Sequence, residues 1–244
     1  MRVAVISDVH GNGPALDAVL RDVDAEAPDA IWCLGDVVGY GAFPNECCAT
    51  VAERADLCLV GNHDLVALGT ADVDVREFNP DAAAAALWTR DELSPESRSF
   101  LEPLAPAAAR EGVELYHASP RDPVWEYVLT VEAAEAAFRE SAAPLVLVGH
   151  SHVALSLRLG DRGGVDGGVA AAGTEVALEG RRLLNPGSVG QPRDGDPRAA
   201  WLLLDLQERF ATFRRVPYSV ETAQTEIRRR GLPESLAARL ALGH

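Results

Sequence analysis

Five short apolar runs in this chain stop abruptly at a carboxylate, a carboxamide or an imidazole, and that recurrence constrains the fold more than any other feature. Val3-Ala4-Val5-Ile6-Ser7 ends at Asp8-Val9-His10, after which Gly11, Asn12, Gly13 and Pro14 break the extended run. Ala30 to Leu34 ends at Gly35-Asp36, Leu57 to Val60 at Gly61-Asn62-His63-Asp64, Val113 to Tyr116 at His117, and Leu145 to Val148 at Gly149-His150-Ser151-His152. Runs of four or five β-prone residues without polar alternation read as strands buried on both faces. Asp8 and His10 share parity, so a chain that stays extended for two more residues points both the same way.

Between the first three runs the spacing is helical. Leu16, Val19, Leu20 and Val23 fall on one face of a helix over 14–26 with Pro14 in its first turn, and 45–55 reads as a second helix. Strand-helix repeats of this kind predict a parallel sheet, whose functional groups gather at the carboxyl ends of its strands. Residues 65–112 change character: Asn79-Pro80 and Ser94-Pro95 each open a helix, which predicts a helical insertion, a lid or a packing appendage. Val131 to Glu140 is another helix. After residue 152 strands follow one another at 155–159, 175–178, 181–184, 200–206 and 211–216, with glycine-rich 160–173 as a hairpin loop. Two short helices, 220–230 and 233–242, close the chain.

At 244 residues and 48% hydrophobic, the chain sits within the range of one domain with a large core. Its net charge of −15 disfavours a nucleic-acid duplex or an anionic membrane as partner, so an anionic substrate needs a locally positive site. All 22 basic residues are Arg. The absence of Lys excludes a Walker-type phosphate loop, a kinase-type ATP site and a Schiff-base mechanism as those are usually built. Cys33, Cys47, Cys48 and Cys58 lack CxxC spacing and read as thiols in a reducing compartment. With no leader pattern and no apolar stretch of membrane-spanning length, the expected location is the cytoplasm.

Five of the six histidines lie at the strand ends. A lone buried His is usually a hydrogen-bonded core residue, but core histidines have no reason to choose strand ends. Imidazole and carboxylate donors suit Mn, Fe, Zn, Ni or Co, and two dications side by side need a shared carboxylate, for which Asp36 is the candidate. With Asp8 and Asp36 ionised, two dications leave a local charge of about +2, or about +1 with a bridging hydroxide, which matches a phosphate ester.

Taken in order, Asp8-x-His10, Gly35-Asp36, Gly61-Asn62-His63-Asp64, His117 and Gly149-His150-x-His152 resemble the motif set of the calcineurin-like metallophosphoesterases. Asn185-Pro186-Gly187-Ser188 resembles a turn common in the small prokaryotic members. The resemblance implies an α/β fold, a four-layer αββα sandwich of two mixed β-sheets flanked by helices. It implies two divalent metals, manganese first, and a hydroxide between them that attacks phosphorus in line. Asp8, His10 and His152 would hold the first metal, Asn62, His117 and His150 the second, and Asp36 would bridge. By the same resemblance His63 protonates or stabilises the departing oxygen, with Asp64 orienting it.

One departure bears on the substrate. The protein phosphatases and symmetrical dinucleoside tetraphosphatases of the superfamily carry an Arg shortly after Gly-Asp, whereas Gly35-Asp36-Val37-Val38-Gly39-Tyr40-Gly41 has none. Asn12, Arg121, Arg193 and Arg198 are the candidate substrate contacts, and the charge of the site favours a small phosphodiester ahead of a monoester. Two alternatives stand beside this: a dinucleoside polyphosphate or phosphoprotein substrate, with Tyr40, Phe43 or Trp88 stacking a base, and a non-catalytic scaffold like the retromer subunit that shares the fold.

Overall fold

A computed structural model describes residues 1–70 and 73–244. The chain opens with β1 (Arg2–Ile6) and α1 (Gly13–Glu26), whose first turn is capped by Asn12 Oδ1 accepting the Ala15 N–H at 3.2 Å. The unit repeats with β2 (Ala30–Cys33), α2 (Pro44–Arg54) and β3 (Leu57–Cys58). Next come α3 (Asn62–Leu68), α4 (Pro80–Glu92) and α5 (Pro95–Leu101). Asn79 and Ser94 cap the latter two as their Asn-Pro and Ser-Pro pairs predict. The chain continues through β4 (Ala107–Arg110), β5 (Val113–Tyr116), α6 (Val131–Glu140) and β6 (Leu145–Val148). Then follow β7 (Ala154–Leu159), β8 (Val165–Val169), β9 (Glu175–Ala177), β10 (Arg181–Pro186), β11 (Ala199–Asp205) and β12 (Phe210–Val216). It ends with α7 (Val220–Arg229), α8 (Glu234–Ala238) and a 3₁₀ turn, Arg239–Ala241.

The strands form two six-stranded mixed sheets, β3-β2-β1-β11-β12-β9 and β4-β5-β6-β10-β7-β8. Parity along the buried runs explains the layering. Val3 and Val5 of β1 join Trp32, Leu115, Leu147 and Leu184 in the core between the sheets, while Ala4 and Ile6 face Leu16, Val19 and Val51 of α1 and α2. In β6, Leu147 points to that shared core and Val146 and Val148 pack on Ala134, Ala137 and Phe138 of α6. The result is the expected four-layer αββα sandwich, with β1, β2 and β3 parallel in one sheet and β5, β6 and β10 parallel in the other. Buried apolar side chains on both faces of each central strand supply most of the drive to this arrangement, at about 25 cal/mol per Å² of apolar surface removed from water. The four cysteines are free thiols.

Two expectations need correction. The segment 65–112 is not helical throughout: Ala107–Arg110 is β4, an antiparallel edge strand paired with β5 through Ala108 and Leu115 across the Glu111-Gly112 turn. Alanine carries no strand signal, so only the pairing reveals it. The stretch 160–173 does form a hairpin, but its turn is short, Gly160 to Gly164, and Val165–Val169 is an exposed edge strand on β7. Glycine left no alternation to read there. No described helix is long and apolar enough to cross a membrane.

The insertion is part of the site wall. Val66 of α3 and Ala86 of α4 pack with Phe78 and Trp125, and Ala82 and Ala85 of α4 pack with Tyr40 and the C-terminal Ile227, Leu236 and Leu240.

Candidate metal centre

The first three strands end one or two residues before their apolar runs do, whereas β5 and β6 end with theirs, and the ligands arrive through tight turns. Asp8, His10, Asp36, His150 and His152 all have left-handed backbones, with φ of 54°, 50°, 52°, 61° and 59°. Parity along an extended chain therefore does not bring Asp8 and His10 together. Each left-handed non-glycine residue costs on the order of 1 kcal/mol, and a cluster of them is stored strain that surrounding bonds must hold in place. Those bonds link the loops: Asp8 N–H donates to Gly35 O at 3.0 Å, His10 N–H to Asp36 O at 2.9 Å, and Gly149 N–H to His117 O at 2.8 Å.

The predicted ligands converge as two groups that share one carboxylate. Asp8, His10, Asp36 and His152 bring one ligand atom each within 4.8 Å of the others, and Asp36, His117 and His150 do the same. Asp36 Oδ2 lies 3.6 Å from His10 Nε2 and 3.6 Å from His117 Nε2, on the boundary between the groups. Its other oxygen accepts the His63 backbone N–H at 2.9 Å. Asn62 Oδ1 completes the second group, 3.2 Å from His117 Nε2. Gly61 lets the Asp36 and Asn62 loops touch, since a Cβ there would stand 2.0 Å from Asp36 Oδ1.

Hydrogen bonds fix the tautomers. His10, His117 and His152 donate Nδ1–H to the carbonyls of Val38, Leu34 and Gln191 at 3.1, 2.8 and 2.6 Å, which leaves Nε2 of each as a lone pair facing inward. His150 is reversed, giving Nε2–H to Trp125 O at 3.1 Å and keeping Nδ1 for the centre. Asp8 Oδ1 and Asp36 Oδ2 are buried without a hydrogen-bond partner among the described residues. Buried lone pairs converging with no donor between them fit divalent cations. Without such charge, burial lifts the Asp8 carboxyl to about 7 and the Asp36 carboxyl well above its usual range, and holds His10 and His152 far below theirs.

His63 stands against this centre, its ring 4.8 Å from that of His10 and packed on Tyr40 and Phe78 at 4.3 and 4.4 Å. Its Nδ1 is buried without a partner among the described residues. Asp64 does not orient it: the two carboxylate oxygens accept the Val38 and Gly61 backbone N–H groups, each at 2.9 Å, tying the Asp36 loop to the start of α3. Among the substrate candidates, Asn12 is a buried cap that also donates to Gly190 O at 2.8 Å. Arg121 and Arg198 are exposed and ion-paired to Glu126 and Asp196. Phe43 and Trp88 pack among apolar side chains.

Arg193 reaches the site. Its backbone N–H donates to His152 O at 3.1 Å, and its Nη2 donates to Gln191 Oε1 at 3.0 Å and Tyr40 Oη at 3.3 Å. The next residue, Asp194, anchors the loop through a buried ion pair with Arg215 of β12. Sequence reasoning missed Tyr127, whose ring stacks on His150 at 4.1 Å, and Ser188, whose hydroxyl donates to Asp8 O at 2.8 Å. It gave Asn185 no role either, though its amide donates to Gly149 O at 2.7 Å. The Asn185-Pro186-Gly187-Ser188 turn was the only signal for the latter two.

The calcineurin-like phosphoesterase superfamily domain matches residues 1–209. The chain belongs to that superfamily. This calcineurin-like phosphoesterase family member is 37% identical over 249 residues to an uncharacterized protein of Methanocaldococcus jannaschii, covering 99% of this chain and 98% of that one. The crystal structure of a metallophosphoesterase from Sphaerobacter thermophilus superposes with a TM-score of 0.90 at 41% identity, over 100% of this chain and 99% of the other. A symmetrical bis(5'-nucleosyl)-tetraphosphatase of Actinobacillus pleuropneumoniae is 28% identical over 142 residues, which is 56% of this phosphoesterase-superfamily chain and 52% of that protein.

Proposed function

We propose that the protein is a dinuclear metal-dependent phosphoesterase acting on small phosphate esters. The observation that carries this is the position of Asp36 Oδ2, without a hydrogen-bond partner among the described residues and equally 3.6 Å from a histidine nitrogen of each ligand group. Asp8, His10 and His152 would hold one divalent cation and Asn62, His117 and His150 the other, with Asp36 common to both. The mixed imidazole, carboxylate and amide donors suit Mn, Fe, Zn, Ni or Co, and we take Mn as the first choice. When bound, such a pair supplies Lewis acidity at phosphate oxygens and makes a nucleophile of water near neutral pH.

The chain's own groups do the rest. His63 faces the first group, and burial pushes its imidazole well below the usual range, so it enters neutral and offers an N–H to the departing oxygen. The negative charge of a bound phosphate favours its protonation for poor leaving groups. Arg193 binds a non-bridging phosphate oxygen from the rim, and Tyr40 and Phe78 keep bulk water from the His63 ring. Metals and carboxylates alone match a diester of charge −1. Arg193 adds a positive charge, which moves the match toward a dianionic terminal phosphate.

A second reading, a nucleotide or dinucleoside polyphosphate substrate, is favoured by Tyr127, whose 47% exposed side chain leaves an open aromatic surface over His150. The net charge of −15 speaks against a duplex or a membrane as partner in either reading. The test is a panel of chromogenic monoester, diester and nucleotides after Mn loading, with elemental analysis of the same sample. Two metals per chain without turnover of any ester would leave the scaffold reading standing instead.

A further inference from the structure

The edge strands of the two sheets are not guarded alike. Among the described residues β3, β9 and β4 are two, three and four residues long, and β4 ends in Arg110, whose guanidinium reaches across to Asp56 O at 2.9 Å. β8 is longer at five residues, Val165-Asp166-Gly167-Gly168-Val169, and lies at the end of its sheet with β7 on one side. It holds no Pro, and its one charge, Asp166, is turned to Arg158 of β7 at 3.4 Å. An edge without such blunting is a template for a further strand.

The bonding pattern shows which groups are free. Ala170 N–H donates to Ala154 O and Gly160 N–H to Gly164 O, each at 2.8 Å, at the two ends of the ladder that pairs Gly167 with Leu157. Bonded and non-bonded pairs alternate along an antiparallel ladder, so Asp166 and Gly168 face β7 with their N–H and C=O groups, while Val165, Gly167 and Val169 turn theirs to the open edge. Val165 and Val169 also share a face, on which Val169 is 66% exposed. Leu129 and Val131, leading into α6, are 53% and 55% exposed and line one groove with Leu155, Leu157, Val165 and Val169.

We propose that β8 is a homodimer interface, where a second copy of the chain pairs its own β8 antiparallel across a two-fold axis at Gly167. That register sets Val165 against the partner's Val169 and Gly167 against the partner's Gly167, so each outward N–H meets an outward C=O. Gly167 has φ +125° and a Cβ there would stand 2.0 Å from Ser156 O, so the axis position admits no side chain that could hold two copies apart. Asp166 falls opposite the partner's Gly168, so no like charges oppose one another. Each copy carries a net charge of −15, which opposes contact through the general surface, whereas residues 127–131 carry no charge at all.

Leu129, Val131 and Val169 together expose on the order of 300 Å² of apolar surface, the size of patch that marks an association site. Doubled by symmetry and joined by the strand edges, this makes an interface at the small end of the range, which suits a micromolar dimer. The segment that it covers continues from Trp125 and Tyr127, which hold His150, so the contact adjoins the second ligand group. Pairing of this kind does not depend on the chemistry of the metal centre.

The experiment is sedimentation equilibrium of the full chain from about 1 to about 200 μM. The wild type is a dimer with a micromolar Kd. Val169→Lys sets a charge against the partner's Val165 at both ends of the paired strands and raises Kd at least about 30-fold. Val169→Pro removes an outward N–H without touching the bonds to β7 and raises Kd at least about tenfold. Both variants keep the wild-type circular dichroism spectrum; where the Pro variant does not, Val169→Lys decides alone. Leu87→Lys, at an exposed apolar position on α4, keeps the wild-type Kd. A wild type that stays monomeric at about 200 μM, or a dimer whose Kd a folded Val169→Lys leaves unchanged, overturns the interface.

Discussion

His10 and His152 bring their Nε2 atoms to 3.0 Å although each already donates its Nδ1–H, to Val38 and Gln191. Two lone pairs at that distance repel, and neither ring can donate to the other. The pair is built for an electrophile between the rings, and most of the predictions below follow from that.

Replacing Asp36 with Asn should empty both metal positions together, because its Oδ2 is common to the two groups. Elemental analysis should show loss of both metals, with the rate down at least about 10²-fold. Loss of a single metal would mean that Asp36 does not bridge.

Gly61→Ala should be as damaging although Ala accepts the backbone found there, φ −105° and ψ 177°. The added methyl would stand 2.0 Å from Asp36 Oδ1, so the carboxylate must move. We expect kcat/KM to fall about 10²-fold or more while helix content by circular dichroism is unchanged. Wild-type kinetics would show that the Asp36 loop yields without consequence.

His63→Ala should leave metal content intact, since the ring is not among the converging ligand atoms. The rate should fall about 10²-fold with alkyl esters and much less with p-nitrophenyl esters, whose leaving group needs no proton. Equal losses on both would assign His63 to positioning.

The metal-free protein should lose stability as pH rises above about 7.5. Asp8, lifted to about 7, and Asp36, lifted further, contribute stability that is full below the unfolded carboxylate pKa near 4 and is lost as pH climbs through the folded values. His10, His63, His150 and His152 act oppositely, their folded pKa values being depressed, but that gain is nearly complete by about pH 7.5, one unit above the unfolded imidazole value. The loss between pH 7.5 and 9, carried mainly by Asp36, should be roughly 1–2 kcal/mol, a few degrees in Tm. Saturating Mn should reverse the slope, because the metal takes the deprotonated carboxylates. Melting curves with and without chelator read both signs.

Much of the architecture was legible because the central strands are buried on both faces. Val3 to Ile6 and Leu145 to Val148 could be read as unbroken apolar runs, and their ends marked the metal centre directly. Ala107–Arg110 and Val165–Val169 were not legible: they are edge strands with little to bury, defined only by the partner that happens to lie beside them. Asp64 misled for a related reason. Its place beside His63 suggested chemistry, whereas its oxygens satisfy two backbone amides that exist only once the loops are folded together.

The sequence by itself determined which residues meet. Imidazoles and carboxylates at the ends of parallel strands must gather at one edge of the sheets, because strand direction and connection handedness leave no other place for them. Only the tertiary structure decided how they meet and what stands opposite. Left-handed turns, not strand parity, aim Asp8 and His10, and carbonyls from distant loops choose which nitrogen each histidine offers. Arg193 looks in the sequence like any of the other arginines. What separates it is its place in the folded chain, with its guanidinium on Gln191 and Tyr40 and its backbone on His152, which no local pattern encodes.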